Sequence, residues 1–153
     1  MNKKELDKIL LEHRVWLRSG GEKGKCANLQ GANLEGADLK GFLLEEANLQ
    51  CANLKGANMQ NVNLREANLQ GANLEGANLF DAFFQYTDLR GANLKGANLE
   101  QADFFGTFMQ GAKFSIEFRE CSYFENASVS KEQMPWIALH RRFVELLPSL
   151  LIE

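Results

Sequence analysis

The chain has 153 residues, with 17 Lys and Arg against 20 Asp and Glu, and its formal net charge is -3. This length is enough for one domain, and the weak negative balance argues against direct nucleic-acid binding, which usually needs a basic patch. No run of 18 apolar residues is present, so no membrane partner is expected. The first residues lack the apolar segment of a signal peptide, and the three cysteines fit neither a disulfide framework nor a zinc site. We therefore expect a cytoplasmic protein.

The first predicted element is an amphipathic helix over residues 3–18. Its apolar side chains recur at helical spacing: Leu6, Ile9, Leu10, His13, Trp16 and Leu17. Ser19, Gly20 and Gly21 supply the stop signal, and the glycine-rich stretch up to Lys25 is interpreted as a hinge. Because His13 lies on the apolar side of this helix, we interpret it as a structural residue.

A strict five-residue period follows the hinge. From Ala27 to Val129 the frame holds through 21 triplets, and 20 of their third residues are Leu, Met, Phe or Val. Ala occupies 15 of the 21 first positions, and Asn or Asp 14 of the 21 middle ones. A period of five fits neither a helix nor a plain strand, but it fits a short extended stretch followed by a turn. Glycines such as Gly31 and Gly36 stand at the turn positions, where they are favoured.

These repeats, A-[N/D]-L-x-G in tandem, resemble the pentapeptide-repeat family over about two-thirds of the chain. The resemblance implies an all-β fold, a right-handed quadrilateral β-helix in which four pentapeptides make one coil. It also implies about five coils, with the Leu/Phe and Ala columns facing the interior and the other positions facing water.

A 20-residue coil places related side chains in columns. One outer column alternates in charge along Glu35, Lys55, Glu75 and Lys95. One inner column gathers three aromatic residues, Phe84, Phe104 and Phe124. Neighbours in a column should lie about 4.8 Å apart, so the sequence predicts ion pairs outside and stacked rings inside. The frame weakens at Glu117–Arg119, where the register is not fixed by the pattern.

Both ends of the array carry sequence without the repeat. After Val129, the spacing from Ser130 to Gln133 fits a capping box, and an amphipathic helix is predicted from Pro135 to Leu147. An apolar tail follows Pro148. The open ends of a solenoid need covering, so we predict three segments: an N-terminal helical cap and hinge (1–24), the β-helix (25–129), and a C-terminal helical cap with the tail (130–153).

No catalytic, cofactor-binding or metal-binding residues are predicted. The two histidines, His13 and His140, belong to opposite ends of the chain. Gly20–Lys25 departs from a phosphate-binding loop because Cys26 stands where Ser or Thr is needed. The sequence therefore predicts a protein that is not an enzyme and carries no cofactor.

Three functions remain open on the sequence: a rigid protein-interaction module or scaffold, a DNA mimic that binds a type II topoisomerase, and a purely structural solenoid. The family resemblance suggests the second, since some members act in quinolone resistance. A DNA mimic needs a dense field of one sign, but residues 25–129 hold 13 acidic and 8 basic side chains. The interaction module is therefore the favoured prediction, and the topoisomerase the disfavoured alternative.

One wall of the predicted coil carries the candidate interaction surface. Its outward positions are apolar where the other walls are polar, which is typical of an interface. On this wall lie Leu43, Phe83, Phe105 and Tyr123, with Tyr86 on its following corner and Phe80 near the preceding corner. Three occupants are compatible with the sequence: the chain's own C-terminal segment, a second copy of the chain, or a foreign protein.

Overall fold

The computed structural model describes residues 1–115, 127–129 and 151–152. Helix α1 spans Lys3–Arg18, and four two-residue strands follow: β1 (Asn93–Leu94), β2 (Lys113–Phe114), β3 (Ser128–Val129) and β4 (Leu151–Ile152). Strand β1 pairs in parallel with β2, and β3 with β4. The other pairings are single-residue parallel bridges.

The bridges confirm the predicted 20-residue coil. Asn28, Asn33, Asp38 and Leu43 each pair with the residue 20 positions later, so the first coil has four sides. The same offset continues along the array as far as the bridge between Phe108 and Ser128. Glu117–Arg119, where the sequence left the register open, lies outside the described residues.

The hydrogen bonds of one repeat explain why its middle residue is Asn. In residues 51–54, three N–H groups donate to carbonyls of neighbouring coils and the fourth donates to the carbonyl three residues earlier, at 2.7–3.0 Å. The remaining N–H, that of Gln50, is reached by no carbonyl of the ladder and donates instead to Asn48 Oδ1 at 3.1 Å. In most repeats the side chain of Asn, or of Asp in its place, therefore accepts the one backbone N–H that the ladder leaves over.

The interior is filled by the two predicted columns. Most Ala and Leu positions between residues 27 and 112 are fully buried, and the rings of Phe84 and Phe104 stack with their centroids 4.8 Å apart. Thr87 and Thr107 replace Ala at buried positions, and their hydroxyls donate to backbone carbonyls at 2.6 and 2.7 Å. Phe42 stands in the Ala column, which is predicted to face the interior, but it is 37% exposed in the first coil. No coil precedes this one to close over so large a ring.

Every fifth residue from Gly31 to Gly111 has a positive φ angle, whether or not it is glycine. Seven of these corners carry other side chains, among them Asn61 at 55° and Gln101 at 61°. Left-handed backbone costs an ordinary L-residue about 1–2 kcal/mol, and Asn less because its short side chain hydrogen-bonds locally. The regular coil thus imposes strain wherever glycine is replaced.

We therefore expect Gln101→Gly to raise the free energy of unfolding by about 1 kcal/mol. Glycine relieves the strain, and its greater freedom in the unfolded chain cancels part of the gain. Asn61→Gly is the matched control and should change stability less. Urea melts measure both variants, and an equal gain in the two would show that the corner strain does not depend on residue type.

The predicted N-terminal helix is present and packs on the first coil. Asn2 caps it, its Oδ1 accepting from the Glu5 N–H at 2.9 Å, and Leu10 is buried within the same cluster as the coil leucines. A groove of about 570 Å³ lies between the first half of α1 and the coil edge near Leu34 and Asp38. The helix therefore contacts the first coil of the array.

The predicted C-terminal helix lies outside the described residues, and of the tail only β4 is described. Its backbone pairs with Ser128–Val129 and so extends the ladder that begins at Asn28. That ladder belongs to the wall next to the one with the outward aromatic residues. The described part of the tail thus lengthens a wall other than the one that carries the outward aromatic residues.

Candidate interaction surface

The wall that carries the outward aromatic residues consists of residues 41–46, 61–66, 81–86 and 101–106; we call it the aromatic wall. Leu43 and Tyr86 are its most exposed apolar side chains, at 47% and 53%, and Phe83 and Phe105 are half-buried. Phe80, also half-buried, directly precedes it. Of the six predicted residues, Tyr123 lies outside the described range.

Tyr86 and Phe105 form an aromatic contact across two coils. Their ring centroids lie 5.5 Å apart at an interplanar angle of 86°, which is an edge-to-face arrangement. A Cβ added to Gly106 would approach the Tyr86 ring to 2.7 Å, so the tyrosine lies directly over that glycine. The ring is thus held in place while half of its surface stays open to solvent.

Phe83 lies beneath a cation in the middle of the wall. The Arg65 guanidinium carbon lies 5.3 Å from the centre of the Phe83 ring, and Arg65 Nε donates to Gln85 Oε1 at 2.9 Å. Gln85 in turn donates to the Asp103 carboxylate. Side chains of three successive coils are therefore connected, which fixes the shape of this surface.

Leu43 and Phe83 occupy positions where most repeats carry an acceptor Asn or Asp. The other departures within residues 27–115, both on other walls, are Phe108 and Lys113. A Leu or Phe side chain cannot accept the N–H of the residue two positions later, as Asn63 does for Arg65 at 3.2 Å. A hydrogen bond of this kind contributes about 0.5–1.5 kcal/mol. Residues that give up a local stabilising interaction without a compensating one are expected at functional sites. The loss of the acceptor at Leu43 and Phe83 therefore favours a role in binding.

The aromatic wall is also acidic. It carries five carboxylates and one basic residue, Arg65; the carboxylates belong to Glu45, Glu46, Glu66, Asp81 and Asp103. Within residues 1–115 the structure contains two ion pairs, Lys55 with Glu75 and Arg90 with Asp88, and both lie on other walls. The aromatic wall therefore presents apolar rings within a field of negative charge.

The opposite wall, which contains the column from Glu35 to Lys95, shows the contrasting pattern. Lys55 Nζ lies 2.8 Å from Glu75 Oε1, which confirms one predicted ion pair, and this contact lowers the pKa of Glu75. Beside it, Asn73 Nδ2 donates to Asn53 Oδ1 at 3.3 Å and Asn93 Nδ2 to Asn73 Oδ1 at 3.1 Å. The other two predicted ion pairs of this column are not formed within residues 1–115: Glu35 with Lys55, and Glu75 with Lys95. The amides of this wall, by contrast, bond to one another.

Sequence reasoning missed one exposed aromatic residue, Phe108. It is 45% exposed and belongs to the wall after the aromatic wall, in the bridge column of Asp88 and Ser128. Its place in the Asn column is the signal that could have identified it, since the same departure identified Phe83.

His13 joins α1 to the first coil. Its side chain is fully buried, the Ala27 N–H donates to its Nδ1 at 3.1 Å, and its ring stacks on Trp16 with centroids 5.8 Å apart. Burial lowers the pKa of His13, although the nearby Glu45 backbone acts in the opposite direction. The structural role predicted for His13 agrees with these contacts.

We expect the stability of the protein to fall as the pH drops below the ordinary histidine pKa of about 6.5. The folded state has the lower His13 pKa, so the unfolded state binds more protons and acid favours unfolding. Full stability is present above that pKa. His13→Asn keeps an acceptor for the Ala27 N–H but does not titrate. Urea melts between about pH 5.5 and 7.5 should show a smaller slope for this variant, and an unchanged slope would contradict the assignment.

No three His, Cys, Asp or Glu side chains of the described ranges are grouped so that they could hold a metal ion. In the same ranges, no helix has the length and apolar character needed to cross a membrane.

The family model of pentapeptide repeats matches residues 27–65, 57–96 and 84–115. Among solved structures, the chain is similar to the pentapeptide repeat protein Rfr23 from the cyanobacterium Cyanothece 51142, with 35% identity over 71% of this chain and 67% of that one, at a TM-score of 0.34. HetL from Nostoc sp. strain PCC 7120, which is involved in heterocyst differentiation regulation, is 32% identical over 67% of this chain and 51% of its own, at a TM-score of 0.30. A pentapeptide repeat protein of the Arabidopsis thaliana thylakoid lumen is 23% identical over 65% of this chain and 66% of its own, at a TM-score of 0.46. No curated protein shows significant sequence similarity to the chain.

Proposed function

Because the chain belongs to the pentapeptide-repeat family, whose structures are right-handed quadrilateral β-helices, we propose that it acts as a rigid, non-enzymatic protein-interaction module. The aromatic wall is the proposed contact surface. Family members generally serve as structural or interaction modules, and a stiff solenoid can present one wall to a partner without reorganising. Little conformational entropy is then lost on binding.

One observation carries this proposal: within residues 1–115 the aromatic wall has two replacements, Leu43 and Phe83, of the acceptor Asn or Asp that most repeats use, against at most one on any other wall. The wall gives up two stabilising hydrogen bonds, yet it keeps Tyr86 and Phe105 in a fixed contact at its surface. Aromatic side chains ordered in this way are typical of binding hot spots.

The test replaces Phe83 with Asn and Phe105 with Gln, the residues found one coil earlier at Asn63 and Gln85. Intact protein is used in pull-downs from native lysate and in light scattering. The matched control changes Lys95 and Lys113, exposed on the opposite wall, to Gln. The double variant should lose association, whether with itself or with another protein, and the control should retain it.

Thermal melts distinguish a contact surface from a structural one. Phe83→Asn restores an acceptor for the Gln85 N–H, so the double variant should melt within a few degrees of the wild type. A large drop in melting temperature together with unchanged association would overturn the proposal.

The disfavoured alternative, a topoisomerase-binding DNA mimic, needs negative charge on every wall that faces the enzyme. The ion pair between Lys55 and Glu75 works against this on one wall, and Arg65 interrupts the acidic groups of the aromatic wall. We expect neither inhibition of gyrase supercoiling nor protection from a quinolone at micromolar protein. Either effect would favour the alternative.

A further inference from the structure

Helix α1 presents a second, independent surface. From Lys8 to Arg18 its exposed residues are three basic and two apolar side chains: Lys8, Leu11, Arg14, Val15 and Arg18. Leu11 and Val15 are 53% and 41% exposed, which is unusual for large apolar residues of this chain. The one acidic residue in this stretch, Glu12, is half-buried. We call these five exposed residues the outer stripe of α1.

The aromatic wall complements the outer stripe in charge and in apolar character. The wall contributes five carboxylates around exposed apolar side chains, and the stripe contributes three cations around Leu11 and Val15. None of these charged residues takes part in the ion pairs found within residues 1–115. Matching fields of opposite sign steer two surfaces together and fix their register.

The two surfaces also match in length. The helix rises about 1.5 Å per residue, so the stretch from Lys8 to Arg18 extends about 15 Å. On the aromatic wall, Leu43 and Asp103 are three coil spacings apart, or about 14 Å. One helix of this size can therefore reach all four described coils of the wall.

Resting on the proposed function of the aromatic wall, we infer that its partner is a second copy of this chain, which docks the outer stripe of α1 on that wall. Each copy carries both surfaces, so two copies can exchange helices reciprocally or join head to tail. The apolar residues of both surfaces become buried in the contact, while Lys8 and Arg14 meet the corner carboxylates of Glu46 and Glu66.

Charge reversal on either side tests this inference with the full-length chain. One variant carries Lys8→Glu and Arg14→Glu, and the other carries Glu46→Lys and Glu66→Lys. All four positions are exposed, so the melting temperatures should stay near that of the wild type. Sedimentation and light scattering at low and high ionic strength measure association of the wild type, each variant alone, and their equimolar mixture.

The wild type should associate, more strongly at low ionic strength, and each variant alone should associate at least about tenfold more weakly. The mixture should recover wild-type association, because every contact in it pairs opposite charges again. A wild type that stays monomeric, a variant that associates unchanged, or a mixture that fails to recover would each overturn the inference.

The same variants distinguish failure of the proposed function from failure of this inference. If the Phe83→Asn, Phe105→Gln variant loses association and the α1 variant keeps it, the wall binds something other than α1 and only the inference falls. If neither variant changes any association, the aromatic wall is not a contact surface at all.

Discussion

Replacing Leu74 with Ala should lower the free energy of unfolding by about 2–5 kcal/mol. Leu74 lies in the middle of the array and is fully buried. Its truncation removes apolar contacts and leaves a cavity that the rigid coils on either side cannot close. Urea or thermal melts measure the loss.

Asn73→Ala is the control at the adjacent position. Asn73 is half-buried and accepts from the Glu75 N–H at 3.2 Å. Loss of this bond should cost about 0.5–1.5 kcal/mol, and the amide bonds with Asn53 and Asn93 add little because water replaces them at the surface. Equal costs at the two positions would contradict the assignment of Leu74 to the interior and Asn73 to the outer ladder.

Gly24→Ala should have an effect of similar size at the end of the array, about 2–5 kcal/mol. Gly24 has a φ angle of 76°, and a Cβ there would lie 2.3 Å from the Glu12 carbonyl oxygen and 2.8 Å from the Trp16 nitrogen. Both are backbone atoms of α1, so the helix itself must move away from the hinge. Melts should show the loss, and trypsin should cut more rapidly after Arg14.

Gly20→Ala is the control for the cost of the positive φ angle alone. Gly20 has a similar φ angle of 63°, but nothing lies within 4 Å of an added Cβ. We expect a cost of about 1–2 kcal/mol and no change in trypsin cleavage of α1. If Gly20→Ala and Gly24→Ala behave alike, the cost at Gly24 does not come from close packing of the hinge against α1.

The coil register was predictable because the interior selects residues at a fixed interval. Only a small side chain, in most repeats Ala, fits beside Leu74 or Phe84 where the walls converge, and a strict period of five keeps both columns facing inward. The helix stripe around Leu10 and His13 was predictable for the same reason at a different period. In both cases the buried positions recur in the sequence at a fixed interval, so their residue types reveal the period.

The role of Asn and the seating of α1 could not be predicted in this way. That Asn48 must accept the Gln50 N–H becomes visible only when every other N–H of the repeat has found its carbonyl. The contact of Gly24 with Glu12 depends on how the hinge turns back on the helix, which no periodic pattern records. The exposure of Phe42 depends on its place at the end of the array.

The alternation of Glu and Lys on one outer column has a period of two coils, not one. Deleting residues 36–55 would place Glu35 beside Glu75, whereas deleting residues 36–75 would place it beside Lys95. Like charges directly opposite one another destabilise a sheet. We therefore expect this column to contribute less stability after removal of one coil than after removal of two, by no more than about 1 kcal/mol, although each coil closes after 20 residues. The inner columns keep their register in either case.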